Sequence, residues 1–216
     1  MKAMAFSFAL ALSLAIAPAT AALAQDPGEF YIGIHGGASF LADADNTDQG
    51  GFVSENDFET GIQFGGVIGY RVFRNLRVEG EVTFRDNNVD SLRFAGGSEV
   101  DAGGGVMALS GLVNVWYDIP IPARVTPYIG GGVGLATVEP DDVSAGGVLF
   151  ADDNADLVFG GQAGAGLRIP LLPRITASLD YRYFRTVDPE LRDVTGAAFE
   201  AEYETHNLGA TVSFAF

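Results

Sequence analysis

The chain has 216 residues, 48% of them hydrophobic, with 28 acidic residues against 12 basic ones and a formal charge of −16. That acidity argues against a nucleic-acid partner, whose phosphates need facing cations, and against a basic membrane-surface helix. The length suits one barrel-sized domain, and with no cysteine a fold of this size must hold together without disulfides.

The first segment has the order of regions of an export signal. Lys2 gives a positive start and Met4 to Ile16 an apolar stretch, shorter than the ~20 residues of a membrane span. Pro18 breaks it, and Ala22-Leu23-Ala24 places small residues where a signal peptidase reads. The expectation is a signal peptide over 1–24 and a mature domain over 25–216. Without Lys2 the mature chain has 11 arginines, no lysine and a charge of −17.

Eight segments of period-2 alternation follow, at 29–41, 59–73, 76–88, 104–119, 126–138, 156–169, 174–186 and 202–216. The joints at Arg74-Asn75, Pro120 to Arg124 and Pro170 to Pro173 are short. Those at 42–58, 89–103, 139–155 and 187–201 are long and polar. This pattern predicts an all-β fold, an eight-stranded antiparallel up-and-down transmembrane β-barrel with short periplasmic turns and longer outer loops. An even strand number puts both termini on the periplasmic side.

The last segment alternates most regularly: Leu208, Ala210, Val212, Phe214 and Phe216 share one face, and Asn207, Gly209, Thr211, Ser213 and Ala215 the other. In the second, Ile62, Phe64, Ile68, Tyr70 and Val72 oppose Gln63 and Arg71. In the third, Leu76, Val78, Val82 and Phe84 oppose Arg77, Glu79, Glu81, Thr83 and Arg85. In the seventh, Ile175, Ala177, Leu179, Tyr181 and Tyr183 oppose Thr176, Ser178, Asp180 and Arg182. A soluble barrel would turn its apolar face inward and cover the outside with Lys and Glu. Here small residues such as Gly130, Gly132 and Gly134 fill much of the polar face and most acids fall in the joints, so the apolar face is placed outside. Phe30, Tyr70, Phe73, Tyr117, Phe214 and Phe216 would form a periplasmic aromatic girdle, and Phe40, Phe84, Tyr183 and Tyr203 an outer one.

Eight such strands, the glycine-rich Pro127-Tyr128-Ile129-Gly130-Gly131-Gly132-Val133-Gly134 and the ending Val212-Ser213-Phe214-Ala215-Phe216 resemble the OmpA-like outer-membrane β-barrel superfamily. Within it, the chain looks most like the small barrel-only porin-like proteins of alphaproteobacteria. The resemblance implies an outer-membrane location, with Phe216 as the signal read by the barrel-assembly machinery. OmpA proteins that continue into a periplasmic peptidoglycan-binding domain differ from this chain, so a cell-wall tether is not carried over.

The inferred lumen face gathers Arg71, Arg77, Arg85, Arg168 and Arg182 against Glu79, Glu81, Asp118 and Asp180. An eight-stranded interior is just wide enough for side chains to fill it, and unpaired charge there costs several kcal/mol. A paired network that plugs the barrel is therefore expected, with arginine forks on carboxylates and Gln63, Asn114 and Gln162 meeting remaining groups. A narrow ion path is the functional alternative.

Acids crowd three long joints: Asp43, Asp45, Asp48, Glu55 and Asp57; Glu139, Asp141, Asp142, Asp152 and Asp153; and Asp188, Glu190, Asp193 and Glu200. Asp43-x-Asp45-x-x-Asp48 could offer oxygens to Ca²⁺ but lacks the EF-hand pattern, and solvated charge is the simpler account. Of the two histidines, His35 suits a lumen hydrogen bond, and His206 lacks the His-x-Ser arrangement of the lipid A deacylases. No base is visible beside Ser54, Ser91 or Ser98. The sequence thus reads as a non-enzymatic structural and surface protein with acidic outer loops. A small porin is the first alternative, a lipid A-modifying enzyme the second, and a soluble ligand-binding barrel, with the faces inverted, the last. The expected partners are outer-membrane lipid, lipopolysaccharide, the assembly machinery and an extracellular or host ligand. The chain is expected to be monomeric, without cofactor or bound metal.

Overall fold

The computed structural model describes residues 27–41, 46–47, 53–58, 60–93, 99–145, 148–149, 156–187, 190–192, 198–200 and 203–216. The expected export signal and much of the loop sequence lie outside these residues. Eight long strands build the molecule: β1 (Phe30–Leu41), β2 (Thr60–Phe73), β3 (Leu76–Arg93), β4 (Glu99–Asp118), β5 (Thr126–Ala145), β6 (Asp156–Leu172), β7 (Ile175–Thr186) and β8 (Glu204–Ala215). Each pairs antiparallel with its neighbour in sequence. The last closes on the first, from Tyr31 opposite Ala215 to Leu41 opposite Thr205. Closure leaves no unpaired edge, so every strand satisfies its backbone groups within the sheet. This is the antiparallel eight-stranded barrel that the alternation predicts.

Side chains sort as the period-2 pattern requires. Tyr31, His35 and Ser39 of β1 are buried while Ile32, Ile34 and Phe40 are exposed. In β3, Arg77, Glu79, Glu81, Thr83, Arg85 and Asn87 all turn inward. The exterior is a band of exposed apolar side chains, including Ile34, Val133 and Phe159, each more than 70% exposed. Water would not tolerate so large an apolar surface, and hydrocarbon favours it.

Two details differ from the sequence expectations. The strands run further into the long joints than hydrophobic alternation indicates: β3 reaches Arg93, β4 starts at Glu99 and β5 continues to Ala145. Antiparallel pairing needs only backbone groups. The ladder therefore continues, through a register shift between Asn88 and Ser91, after the apolar pattern has ended. Likewise β6 extends through Pro170 to Leu172, where its register with β7 shifts, and the short turn there is Pro173-Arg174. A proline is tolerated at such an irregularity. The second difference is Tyr203. It is buried inside the barrel at 2% exposure and does not join an outer girdle, because its odd position in β8's alternation faces the lumen.

Candidate functional site

The interior is the most heavily built part of the molecule, and its side chains form storeys along the barrel axis. At the end carrying the short turns, Asp118 of β4 accepts from three arginines. Arg168 Nη1 approaches one oxygen at 2.7 Å and Arg71 Nη1 the same oxygen at 3.2 Å, while Arg77 Nε meets the other at 3.1 Å. The storey above centres on Glu79. Tyr31 Oη and Arg77 Nη1 both donate to its Oε1 at 2.5 Å, and Trp116 Nε1 donates to its Oε2 at 2.9 Å.

In the middle storey, Arg182 of β7 spans the lumen. Its Nη1 lies 2.5 Å from Glu81 Oε2 and its Nε 2.6 Å from Asp180 Oδ1. Asn114 Nδ2 and Gln162 Nε2 also donate to Glu81 Oε2, at 2.9 and 3.2 Å, and Thr83 Oγ1 donates to Oε1 at 2.9 Å. Tyr128 Oη completes Asp180 at 2.9 Å. Each carboxylate is thereby held by several donors, the condition for keeping a charge in a dry interior.

Arg85 is brought to a different place. Among the described residues no carboxylate bonds it. Its Nη1 donates to Ser110 Oγ at 2.8 Å, and its guanidinium lies 4.2 Å from the centre of the Phe184 ring, a cation–π contact. Phe184 belongs to an apolar cluster with Ala108, Leu112, Ala136, Val138 and Tyr203 toward the end of the barrel that carries the long connections. Toward the same end, Ser39 bonds Asn87, and Asn207 bonds Thr205, which pairs with Phe184 across the β7–β8 ladder.

Of the lumen charges read from the sequence as one network, the structure brings Arg71, Arg77, Arg168 and Asp118 into one cluster and Arg182, Glu81 and Asp180 into another, with Glu79 above the first. The aromatic component was not foreseen: Tyr31, Trp116, Tyr128 and Phe184 are as much part of the filling as the charges. The signal that finds them is strand parity combined with glycine in register on the neighbouring strand. Tyr31 lies over Gly69, Trp116 over Gly130 and Tyr128 over Gly166, and a Cβ at any of these glycines would collide with the ring or its backbone. Arg77 and Arg182 in turn pack at 5.0 and 5.3 Å from the Tyr128 and Trp116 ring centres.

The two histidines stand apart. His35 faces the lumen with Nε2 3.1 Å from Thr83 Oγ1. His206 turns to the outside, its Nδ1 2.6 Å from Tyr181 Oη and its ring against Tyr183. Phe216 donates its N–H to the Phe30 carbonyl at 2.9 Å and stacks on the Phe30 ring where β1 and β8 meet. Apart from Glu139, the acidic loop residues lie outside the described side chains. No group of three metal-ligating side chains occurs among the described residues.

A family model for the outer membrane protein beta-barrel domain matches residues 7–216. Among solved structures, neisserial surface protein A is 17% identical, with 87% of this chain and 97% of that one covered and a TM-score of 0.57. OprG, an outer membrane protein of Pseudomonas aeruginosa, is 14% identical, with 89% and 98% covered and a TM-score of 0.58. At these identities the likeness is one of fold. No curated protein sequence matches the chain.

Proposed function

Because this chain belongs to the outer membrane protein β-barrel domain family, and its place is the outer membrane, we propose that it is a non-enzymatic, surface-displaying barrel whose lumen is closed to solutes. The observation that carries this reading is the Arg182–Glu81 contact, joining two strands on opposite sides of the closed sheet. With Trp116, Gln162 and Asn114 packed on it, little open cross-section is left at mid-height. The apolar cluster of Phe184, Tyr203 and Val138 supports it from the other end. The barrel then serves as a rigid anchor for its loops, whose acidic sequences would meet lipopolysaccharide through divalent cations or an extracellular ligand.

The histidine contacts support the non-enzymatic reading. Among the described residues His35 bonds a threonine and His206 a tyrosine, and neither is paired with a serine that it could activate. Planar-bilayer recording of the purified, refolded protein tests closure. The expected result is a silent bilayer, and large, stable, reproducible conductance steps would replace the anchor with a small porin.

A further inference from the structure

Each short turn carries one arginine directly after exposed apolar side chains. Phe73 precedes Arg74 between β2 and β3, Ile121 comes just before Pro122-Ala123-Arg124 between β4 and β5, and Leu171 and Leu172 lead to Pro173-Arg174 between β6 and β7. All three arginines are exposed, as are the apolar side chains, Phe73 at 61% and Leu172 at 59%. Apolar surface this close to the turns sets their depth, because water would leave it uncovered while hydrocarbon favours it. The rings of Phe30, Tyr70 and Phe216 contact one another at the same end and mark the border of the membrane, where aromatic side chains are favoured. Each turn arginine therefore stands at headgroup depth, one step beyond the apolar band. Among the described residues no carboxylate pairs with the Arg74 or Arg174 guanidinium. Asp118 is inside the barrel and shared among three other arginines, and Glu29 makes no ion pair.

We propose that the three turns are binding seats for anionic phospholipids of the leaflet they face. Arg74, Arg124 and Arg174 each hold a headgroup phosphate, and the apolar side chains beside them pack on the acyl chains. A guanidinium suits a phosphate because its planar fork bonds two oxygens at once. A zwitterionic headgroup brings a cation of its own and leaves the arginine's charge unmatched, whereas an anionic one matches it. The opposite end of the barrel reverses the sign, since acids crowd the long connections, so the preference belongs to the turn end. The seats lie on the outside of the barrel and do not depend on whether the lumen is closed.

Native mass spectrometry of the folded protein tests this, with equal amounts of phosphatidylglycerol and phosphatidylcholine added to its detergent micelles. Phosphatidylglycerol adducts are expected to exceed phosphatidylcholine adducts by about threefold or more. Arg74→Gln, Arg124→Gln and Arg174→Gln should each lower that ratio, and the triple variant should bring it to about one. The mobility shift on heating checks that each variant is folded, and the single variants keep the test valid if the triple one is not. Arg185→Gln, at the opposite end beside Glu204, should leave the ratio unchanged. Millimolar inorganic phosphate should not displace the lipid, because the acyl chains contribute to its binding. Equal retention of the two lipids by the parent protein would overturn the proposal. So would an undiminished preference in the folded turn variants, a loss in Arg185→Gln as large as theirs, or displacement by inorganic phosphate.

Discussion

Arg182 and Glu81 meet at 2.5 Å across the lumen although 101 residues separate them in the chain. One stands on β7 and the other on β3, so the contact ties together opposite sides of a sheet whose hydrogen bonds join only neighbours. It works as an internal strut, and Asp180 and Tyr128 keep its arginine in place.

Breaking this strut from one side should cost more than removing it whole. Arg182→Met leaves Glu81 and Asp180 buried without their cation, and Glu81→Leu leaves Arg182 with Asp180 alone. Stranding one partner of a buried pair costs ~3–5 kcal/mol. Double substitution removes both charges, so its loss should fall short of the summed single losses by ~1–3 kcal/mol, the usual coupling of contacting residues. Urea unfolding in detergent micelles or lipid vesicles measures all three. Strict additivity would show that the pair does not act as a unit.

Arg85 is expected to behave in the opposite way. It faces Ser110 and the Phe184 ring, and no carboxylate among the described residues depends on it. Arg85→Met removes a buried cation and strands only a serine hydroxyl that can also bond the Thr83 carbonyl. Replacing a buried charge with an apolar side chain of similar volume is often neutral or stabilising. The variant should unfold within ~1 kcal/mol of the parent. A loss of 3 kcal/mol or more would mean that Arg85 has a carboxylate partner in the folded protein.

Two glycines on adjacent strands give a steric test. At Gly130 a Cβ would run into the Val115 carbonyl and Trp116, whereas at Gly111 it would meet nothing within 4 Å. Gly130→Ala must push Trp116 or the β4 backbone aside, and overpacking of this kind costs ~1–3 kcal/mol. Gly111→Ala should leave stability unchanged or slightly raised. Comparing urea midpoints, and the near-ultraviolet circular dichroism of Trp116, checks both. Equal effects at the two positions would contradict the inward packing of the indole.

Much of this could be read before any coordinates. Strand number, the short turn at Arg74-Asn75 and the inward row from Arg77 to Arg85 follow from the alternation, because a one-residue slip would reverse every face. Pairing inside the lumen was less legible. Arg85 and Arg182 look alike in sequence, and only strand stagger decides that one reaches two carboxylates and the other a phenyl ring. Tyr203 was misassigned because an aromatic near a strand end suits a girdle by composition, although its parity points inward. The lengths of β3, β4 and β5 were hidden because backbone pairing by itself leaves no hydrophobic mark in the sequence.

The face assignment itself gives the sharpest prediction. Val133 is 71% exposed, midway along the membrane-spanning part of β5 and opposite Val113 on β4. If the exterior meets hydrocarbon, Val133→Arg places a guanidinium near the bilayer midplane, at a cost of ~2–4 kcal/mol on a barrel's lipid face. On a protein surrounded by water the same exposed substitution would change stability by no more than ~0.5 kcal/mol. Reversible folding into phosphatidylcholine vesicles, followed by urea titration, separates the two. Arg174→Ala, at the exposed turn between β6 and β7, serves as the control and should be near neutral. If Val133→Arg folded as stably as this control, the apolar band would not be facing lipid, and the inside-out reading of all eight strands would fall with it.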